Sequence, residues 1–326
     1  MLKNVSVKPL LAASLCALGL SFQAMAADVA IVIHGGAGTI LKKNMTPERE
    51  KAYVEKLTEA VKKGYALLQS GVDGETAVVE TIQVLEQSPL FNAGIGAVYT
   101  FDGEHELDAS MMHGGTLNAG AVAGVKTIAS PIAAAQAVME HSPHVMLSGK
   151  GAEEFALSRG MEPVDNHIFD TDRRYKALEK ARERILKAGI AYGGQQGNER
   201  FGTVGAVVID KQGNLVAGTS TGGMTAKRYG RIGDSPVIGA GTWADNSSCA
   251  VSATGHGEYF IRYHVAADIC SRMKYTGVSL DEAANTVIND VLVEAGGDGG
   301  IIAIDHDGNI AAVFNSAGMY RAQIDT

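Results

Sequence analysis

The chain has 326 residues, of which 46% are hydrophobic and 20% are charged. That is enough to build a buried core without extra covalent support. With 36 acidic and 28 basic residues, its formal net charge is −8 at pH 7. The negative balance argues against nucleic acid and anionic membrane as partners, because both are bound through basic patches.

The first 26 residues have the pattern of a secretory signal. Lys3 and Lys8 supply the positive start, residues 10–20 form an apolar run too short to span a bilayer, and Ala24-Met25-Ala26 is a small-residue cleavage site. A buried N-terminal helix is the alternative, and a lipoprotein signal through Cys16 fits less well because a bulky residue precedes that cysteine. Cleavage would leave 300 residues with a net charge of −10. We expect a secreted protein, periplasmic in a Gram-negative bacterium.

Two cysteines lie outside this signal, Cys249 and Cys270. Two thiols in an oxidising compartment could pair, but a chain of this length can bury a core without a covalent link, so we interpret both as small buried hydrophobic residues. The sequence contains neither CxxC nor HExxH, and it therefore indicates no zinc or redox site.

The first part of the chain alternates strand and helix patterns. An apolar strand is predicted at residues 30–33, before a glycine-rich segment, and short strands at 107–109 and 120–125. Ser88 and Pro89 end the second of several predicted helices. These helices are expected at residues 48–69, 75–87, 131–141, 150–158 and 173–188. Residues 192–201 have no periodicity and are predicted to form an exposed loop.

A strand–turn–strand pattern dominates the rest of the chain and occurs twice. The first copy pairs residues 205–209 with 215–218, and the second pairs 300–304 with 310–314. Helices are predicted between the copies, at 257–274 and 280–295. The hairpin strands are apolar on both faces, as expected for strands covered on both sides. The predicted architecture is a single α+β domain with antiparallel sheets inside and helices outside.

Gly202 and Thr203 stand where a polar, glycine-rich stretch meets a β-branched run. A threonine at such a junction is ordinarily just a strand start. Its hydroxyl becomes a useful nucleophile when a base is nearby, and a free α-amino group, with a pKa of roughly 8, is such a base. That amine exists only after the preceding peptide bond is broken, and Gly202 has no Cβ atom to hinder attack on its carbonyl. The pattern predicts a precursor that cuts itself before Thr203.

Residues downstream of Thr203 have the chemistry that an amide hydrolase requires. The Thr254 hydroxyl and the Gly255 N–H can stabilise an oxyanion. Arg231 offers two parallel donors to a substrate carboxylate, and Asp234 can bind an ammonium group. Taken singly, Arg231 and Asp234 would be a surface ion pair, and Thr221 a strand or turn hydroxyl. Their order after Thr203 favours a site.

With these residues, the chain resembles the plant-type L-asparaginases, also called isoaspartyl (β-aspartyl) peptidases, of the threonine-type N-terminal-nucleophile hydrolases. The resemblance covers nearly all of the chain after the signal. It is carried by His34-Gly35-Gly36-Ala37-Gly38, Pro89-Leu90-Phe91-Asn92-Ala93-Gly94-Ile95-Gly96, Glu106-Leu107-Asp108-Ala109, Gly202-Thr203-Val204-Gly205, Thr219-Ser220-Thr221-Gly222-Gly223, the segment 230–236, and Thr254-Gly255.

The resemblance implies a four-layer αββα sandwich that is made as a precursor. Cleavage would give an α chain, residues 27–202, and a β chain, residues 203–326, and two such αβ pairs would associate as (αβ)2. Asn92 would line the site from the α chain. In the β chain, Thr203 would be the nucleophile and Thr221 would orient it.

The resemblance also assigns the remaining roles. Arg231 and Asp234 would hold the substrate's carboxylate and amine, and Thr254 and Gly255 would form the oxyanion hole. No cofactor would take part in catalysis. A structural sodium ion would be held by the backbone carbonyls of Leu85, Glu86, Ser88, Phe91, Ala93 and Ile95.

The implied substrates are β-aspartyl dipeptides and L-asparagine, and we expect the dipeptides to react better. The related glycosylasparaginases remain an alternative, although they typically have Asp before the nucleophile where this chain has Gly202. Two positions depart from the family pattern. Relatives often have a small residue where His256 stands, and we expect this histidine to face solvent; Trp243 replaces a frequent Tyr.

Two other classes of protein remain as alternatives. Residues 218–222 fit the G-x-S-x-G motif of serine hydrolases, and Ser220, Asp234 and His264 follow in the order of a triad. That motif requires a helix directly after the serine, whereas glycines and Pro236 follow here. The second alternative is a non-catalytic binding protein for amino acids that uses Arg231 and Asp234. Such proteins usually show parallel α/β repeats, which this sequence lacks.

Overall fold

A computed structural model describes residues 28–38, 45–188 and 202–325. The predicted signal at 1–26 and the predicted loop at 192–201 lie outside these ranges. Among the helices of the described ranges, none is both long and apolar enough to cross a bilayer.

The described strands form two sheets. The strands are β1 (Ala30–Gly38), β2 (Leu107–His113), β3 (Ala119–Val125), β4 (Met146–Ser148), β5 (Val204–Ile209), β6 (Leu215–Thr221), β7 (Thr242–Ala244), β8 (Cys249–Gly255), β9 (Gly299–Asp305), β10 (Ile310–Phe314) and β11 (Gly318–Ile324). The larger sheet has the order β11-β1-β5-β6-β2-β3-β4 and the smaller one β10-β9-β8-β7. All pairings are antiparallel except that of β3 with β4.

The helices lie outside the sheets, and all cover a sheet face except the one at residues 172–188, which packs on Tyr99 and Ala226. They are α1 (Pro47–Ser70), α2 (Gly74–Glu86), α3 (Pro131–His141), α4 (Gly149–Ser158), α5 (Asp172–Ala188), α6 (Gly257–Arg262), α7 (Val265–Thr276), α8 (Leu280–Asn285) and α9 (Leu292–Ala295). A π-helical turn (Thr286–Val291) joins α8 to α9, and short 3-10 helices occupy Gly94–Gly96 and Asn166–Phe169. The predicted helix at 280–295 is therefore continuous, with one wider turn.

Local chemistry explains where the first two helices begin and end. The Thr46 side chain accepts from the backbone N of Arg49, with Pro47 in the first turn, and α1 stops at Gly71 in a left-handed conformation (φ 88°). The Asp73 side chain then accepts from the backbone N of Thr76 at the start of α2. A three-residue connection thus sends α2 back along α1.

Three apolar layers hold the four structural layers together. One lies between the larger sheet and α1 to α4, and includes Ile31, Leu85 and Val208. A second lies between the sheets, where Val32 and Val207 belong to the same cluster as residues of β8 and β9. The third packs the smaller sheet against α6 to α9. The α+β, four-layer αββα prediction is confirmed, and the hairpin strands are covered on both faces.

The structure corrects several predicted elements. The helix predicted at 257–274 is broken at His264, which adopts a left-handed conformation (φ 48°) between α6 and α7. The strand predicted at 30–33 continues to Gly38 through an irregularity between His34 and Ala37. Our sequence prediction also missed four strands, β4, β7, β8 and β11.

The interpretation of the cysteines as separate buried hydrophobic residues was wrong. Both side chains are buried, but Cys249 and Cys270 form a disulfide that joins β8 to α7. The cysteines are 21 positions apart in the chain, and only the packing of α7 on β8 brings their sulfur atoms together. Its place in the fold shows that the bond ties the smaller sheet to its covering helices.

Candidate active site

Two threonine hydroxyls meet at the ends of neighbouring strands. Thr203 directly precedes β5, and Thr221 is the last residue of β6, its antiparallel partner. Thr203 Oγ1 donates to Thr221 Oγ1 at 3.1 Å, and Thr221 Oγ1 also accepts from the backbone N of Gly223 at 3.0 Å. Only 8% of Thr203 and 3% of Thr221 are exposed. The pair presents one oriented, nearly buried hydroxyl whose proton points to an oxygen acceptor.

Gly202 is enclosed by backbone on two sides. Its carbonyl accepts from the backbone N of Asn92 at 2.9 Å, and a Cβ atom added to Gly202 would lie 2.8 Å from Cβ of Asn92. Gly36, at a φ of 106°, packs directly on the Gly202 backbone. Neither position tolerates a side chain without a shift of the backbone.

The Asn92 side chain is fully used in holding the site together. Its Nδ2 donates to the Gly223 carbonyl at 2.7 Å, and its Oδ1 accepts from the backbone N of Val98 at 2.9 Å. Asn92 was predicted to line the site, and its side chain connects Gly223, near Thr221, with Val98.

His34 anchors the Thr203 backbone from the opposite direction. Its Nδ1 lies 3.0 Å from the Thr203 carbonyl and its Nε2 lies 3.1 Å from Ser252 Oγ. Burial lowers the pKa of His34 to about 3, although the hydrogen bond to Thr203 acts in the other direction. A neutral ring that donates from Nδ1 and accepts at Nε2 satisfies both contacts.

A small pocket opens beside the threonine pair and has about 290 Å³ of empty space, part of it open to solvent. It brings most of the predicted site residues together. Its lining comprises Thr203, Thr221, Gly223, Met224, Arg231, Gly233, Asp234, Ser235 and Gly255.

Thr254 lies next to the pocket rather than in its wall. The side chain is fully buried, and its Oγ1 accepts from the backbone N of Ala37 at 3.1 Å. That bond uses a lone pair and leaves the hydroxyl proton for another acceptor. The position at the end of β8, a strand that the sequence did not reveal, sets Thr254 and Gly255 against the threonine pair.

Glu258 is a site residue that our sequence reasoning missed. Its carboxylate accepts from Nε and Nη2 of Arg231, each at 3.0 Å, and its Oε2 lies 3.3 Å from Nε2 of His256. Burial opposes the charged form of Glu258, but the bonds to Arg231 prevail and its pKa is lowered. The carboxylate fixes the guanidinium plane and leaves both N–H groups of Nη1 and the second N–H of Nη2 to meet a ligand. A glutamate three residues after Gly255 was the available signal.

The expectation that His256 faces solvent was wrong. Only 13% of its side chain is exposed, and its ring packs edge-on against Tyr259 with centroids 4.8 Å apart. The contact with Glu258 draws the ring inward. His256 therefore belongs to the group of side chains that holds Arg231.

The carboxyl group of Asp234 is buried, and one of its oxygens has no hydrogen-bond partner. Its Oδ2 is buried without a hydrogen-bond partner, and the residue is 5% exposed. Burial raises the pKa of Asp234 to about 7, although nearby Arg231 acts in the opposite direction. A buried carboxylate oxygen without a donor is an arrangement that an incoming cationic group would satisfy.

A buried lysine lies beneath Gly223, and the sequence prediction did not include it. Lys227 is 2% exposed; its Nζ donates to the Glu106 carbonyl at 3.0 Å and lies 3.8 Å from Asp108 Oδ2. Asp108 is paired in register with Thr221 across β2 and β6. This ion pair supports the end of β6 from behind.

The residues predicted to hold sodium form one closely folded loop from the end of α2 to the first 3-10 helix. Gly94, at a φ of 52°, packs against the Glu86 carbonyl, and Gly96 packs against that of Phe91. The Glu86 carboxylate points elsewhere, since it accepts from Ser130 Oγ and Ser220 Oγ, each at 2.6 Å. Within the described ranges, no cluster of three or more His, Cys, Asp or Glu could hold a metal. Backbone carbonyl oxygens are ligands that a hard cation such as sodium accepts.

The serine-hydrolase alternative fails on geometry. Ser220 is fully buried and donates to Glu86, on the sheet face that carries α2. His264 is exposed at the break between α6 and α7. These two residues and Asp234 are not assembled into a triad.

A four-layer sandwich with a threonine pair at the start of a central strand has the architecture of an N-terminal-nucleophile hydrolase. Comparison with known proteins agrees. A family model described as asparaginase matches residues 27–326. The chain is 53% identical over 294 residues to an isoaspartyl peptidase of Salmonella typhimurium, covering 90% of this chain and 94% of the relative.

Further relatives share this description. An isoaspartyl peptidase of Escherichia coli is 52% identical over 90% of this chain and 91% of its own length. An isoaspartyl peptidase/L-asparaginase of Rattus norvegicus is 40% identical over 91% of this chain and 86% of its own length. The chain belongs to the asparaginase family and is a hydrolase of this type.

Proposed function

We propose that the protein is a self-cleaving hydrolase that releases L-aspartate from β-aspartyl dipeptides and L-asparagine. The single observation that carries the proposal is the bond from Thr203 Oγ1 to Thr221 Oγ1 at 3.1 Å, in the wall of a pocket that also presents Arg231 and Asp234. The names of the relatives support the choice of substrates.

Self-cleavage would begin with attack of Thr203 Oγ1 on the Gly202 carbonyl carbon. The C–N bond then breaks, the hydroxyl proton passes to the Thr203 nitrogen, and an ester joins the two residues. Water hydrolyses the ester and restores the hydroxyl. The new α-amino group is the base that the threonine previously lacked.

Substrate hydrolysis would use the same hydroxyl on a second amide. Arg231 would bind the substrate carboxylate and Asp234 its ammonium group, with Glu258 keeping Arg231 in place. Charge developing on the attacked carbonyl oxygen would be stabilised by Thr254 Oγ1 and the Gly255 N–H. Loss of the amine or ammonia leaves an aspartyl ester on Thr203, and water releases aspartate.

The proposal includes the processed form and its location. Residues 27–202 and 203–326 would be the α and β chains, two αβ pairs would associate, and removal of residues 1–26 would accompany export to the periplasm. No cofactor takes part in these steps. The loop at residues 85–95, here called the carbonyl loop, would hold a structural sodium ion through its backbone carbonyls.

Intact mass under denaturing conditions tests the central step, with Thr203→Ala as the matched variant. We expect two fragments that meet between Gly202 and Thr203 in the wild type, and one chain in the variant. A wild-type chain that stays whole after days at neutral pH would contradict the proposal and favour an amino-acid-binding protein.

The substrate preference has a separate test on processed enzyme. We expect kcat/KM for β-aspartyl-leucine to exceed that for L-asparagine. A clear preference for L-asparagine would reverse this assignment, and turnover of a sugar-linked asparagine above both would favour the glycosylasparaginase alternative.

A further inference from the structure

A buried arginine lies beside the peptide bond that is proposed to break. Arg174 belongs to α5 and is 8% exposed. Its Nε donates to the Gly96 carbonyl at 2.8 Å. Its Nη2 lies 3.7 Å from the position that a Cβ atom on Gly202 would occupy. The guanidinium therefore holds Gly96 and lies close to Gly202, the residue before Thr203.

Because Gly202 is buried, the positive charge of Arg174 should interact strongly with any negative charge that forms there. Gly202 is buried, and its carbonyl already accepts from the backbone N of Asn92 at 2.9 Å. Charge–charge interactions are stronger away from water, where the effective dielectric constant is lower. One hydrogen-bond donor and one permanent positive charge thus face the same buried peptide unit.

We propose that Arg174 stabilises the negative charge that appears at Gly202 during self-cleavage. This inference rests on the proposed function. Charge appears twice: first on the Gly202 carbonyl oxygen when Thr203 Oγ1 adds to the carbon, and then on the Gly202 carboxylate after water has hydrolysed the ester. The hydroxyl proton leaves on the Thr203 nitrogen, so the protein must balance only the charge at Gly202. Arg174 does so in both stages.

The neighbouring residue provides a matched control. Arg173 is on the same helix and also binds the loop around Asn92, through donation from Nη2 to the carbonyls of Pro89 and Leu90 at 3.1 and 2.9 Å. Its described contacts do not involve Gly202. Arg173→Gln therefore reproduces the loss of an arginine anchor without removing the cation beside the cleavage site.

The experiment follows the mass of freshly synthesised precursor over time for the wild type, Arg174→Gln, Arg174→Lys and Arg173→Gln. We expect Arg174→Gln to slow cleavage about 100- to 1,000-fold, in line with the loss of one preset oxyanion-stabilising group. Arg174→Lys retains the charge, so its cleavage rate should lie between those of the wild type and Arg174→Gln. The cleavage rate of Arg173→Gln should stay close to that of the wild type.

Chemical rescue separates a charge effect from a packing effect. Guanidinium chloride at millimolar concentration should speed cleavage of Arg174→Ala, and choline chloride at the same concentration should not. Wild-type cleavage rates in Arg174→Gln would overturn the inference. So would a slow Arg174→Lys variant combined with no rescue, because the side chain would then serve packing alone. A wild type that never cleaves overturns the proposed function as well, whereas indifference to Arg174 alone leaves that function standing.

Discussion

At the scale of single residues, the binding role proposed for Asp234 would carry an energetic cost before a ligand arrives. Its unpartnered Oδ2 and its burial raise its pKa to about 7. An arriving ammonium group would supply the missing donor and favour the ionised form. Before a ligand binds, the Asp234 carboxyl group is therefore only partly ionised near neutral pH.

This pKa predicts the pH dependence of catalysis. Asp234 must be ionised to bind an ammonium group, so kcat/KM should rise as pH increases through about 7. The measurement is a set of initial rates from pH 5 to pH 9 at low and at saturating substrate. Bound ammonium stabilises the charged form, so the same step should move to lower pH in kcat. A kcat/KM that stays flat between pH 6 and pH 8 would contradict this assignment.

The raised pKa of Asp234 also predicts that the free energy of unfolding decreases as pH increases, whereas kcat/KM should increase. The folded pKa lies above the ordinary aspartate value of 3.8, so between these values the folded state binds more protons and stability falls as pH rises. Asp234→Asn should therefore raise the apparent Tm above pH 7, by roughly 2–4 °C for each kcal/mol recovered. The gain should shrink toward pH 4, and substrate binding should be lost. Asp307→Asn, at a carboxylate whose side chain is 71% exposed, is the matched control for the loss of a charge.

At the scale of elements, the disulfide is the main constraint that sequence reasoning missed. Cys249 lies at the start of β8 and Cys270 in α7, so the bond fixes the strand whose other end carries Thr254 and Gly255. This position connects the covering helices with the predicted oxyanion hole.

Removal of the bond should lower stability. Closure of a loop of this size is worth roughly 3 kcal/mol, so Cys249→Ala/Cys270→Ala should lower the free energy of unfolding by about that amount. Urea unfolding of uncleaved Thr203→Ala protein, with and without the cysteine changes, measures it. Thiol titration of unfolded, unreduced protein after signal removal should find none; two free thiols would show that the cysteines do not pair.

Strongly periodic or hairpin-forming elements were predictable, and those defined by distant contacts were not. Helices α1 to α5 and the two hairpins follow from apolar spacing, caps and turn residues. Strand β8 consists mostly of small residues between turns, and β11 owes its place to pairing with β1. The break at His264 leaves no mark in the apolar pattern, because both halves keep their buried faces.

The same distinction applies to the site. Thr203, Thr221, Arg231, Asp234 and Gly255 were predicted and line one pocket. Glu258 and Lys227 were not predicted, because a charged residue acquires such a role only through the partner that folding brings to it. The inward position of His256 likewise depends on Glu258.

At the scale of the whole molecule, the carbonyl loop predicts a dependence on sodium. The loop joins α2 to the site through Asn92, and its closely packed glycines leave carbonyl oxygens as its available ligands. A bound ion stabilises the folded state according to its concentration and affinity.

We expect a higher apparent Tm in sodium chloride than in choline chloride at equal ionic strength and a fixed scan rate. The increase should grow with the logarithm of sodium concentration above the dissociation constant. Lithium and potassium chlorides test the fit of the cavity. Identical melting curves in all four salts would contradict a specific site.

The order of the larger sheet carries a consequence for the life of the processed protein. Strand β1, from before Thr203, lies between β11 and β5, both from after it. Strands of the two products would thus alternate within one sheet. One product could dissociate only if the hydrogen bonds between these strands broke. Once unfolded, the halves would need to find each other as separate molecules, and recovery would fall on dilution. The lifetime of the processed enzyme would then be set by the rate of unfolding, because the fold was formed by one continuous chain before cleavage.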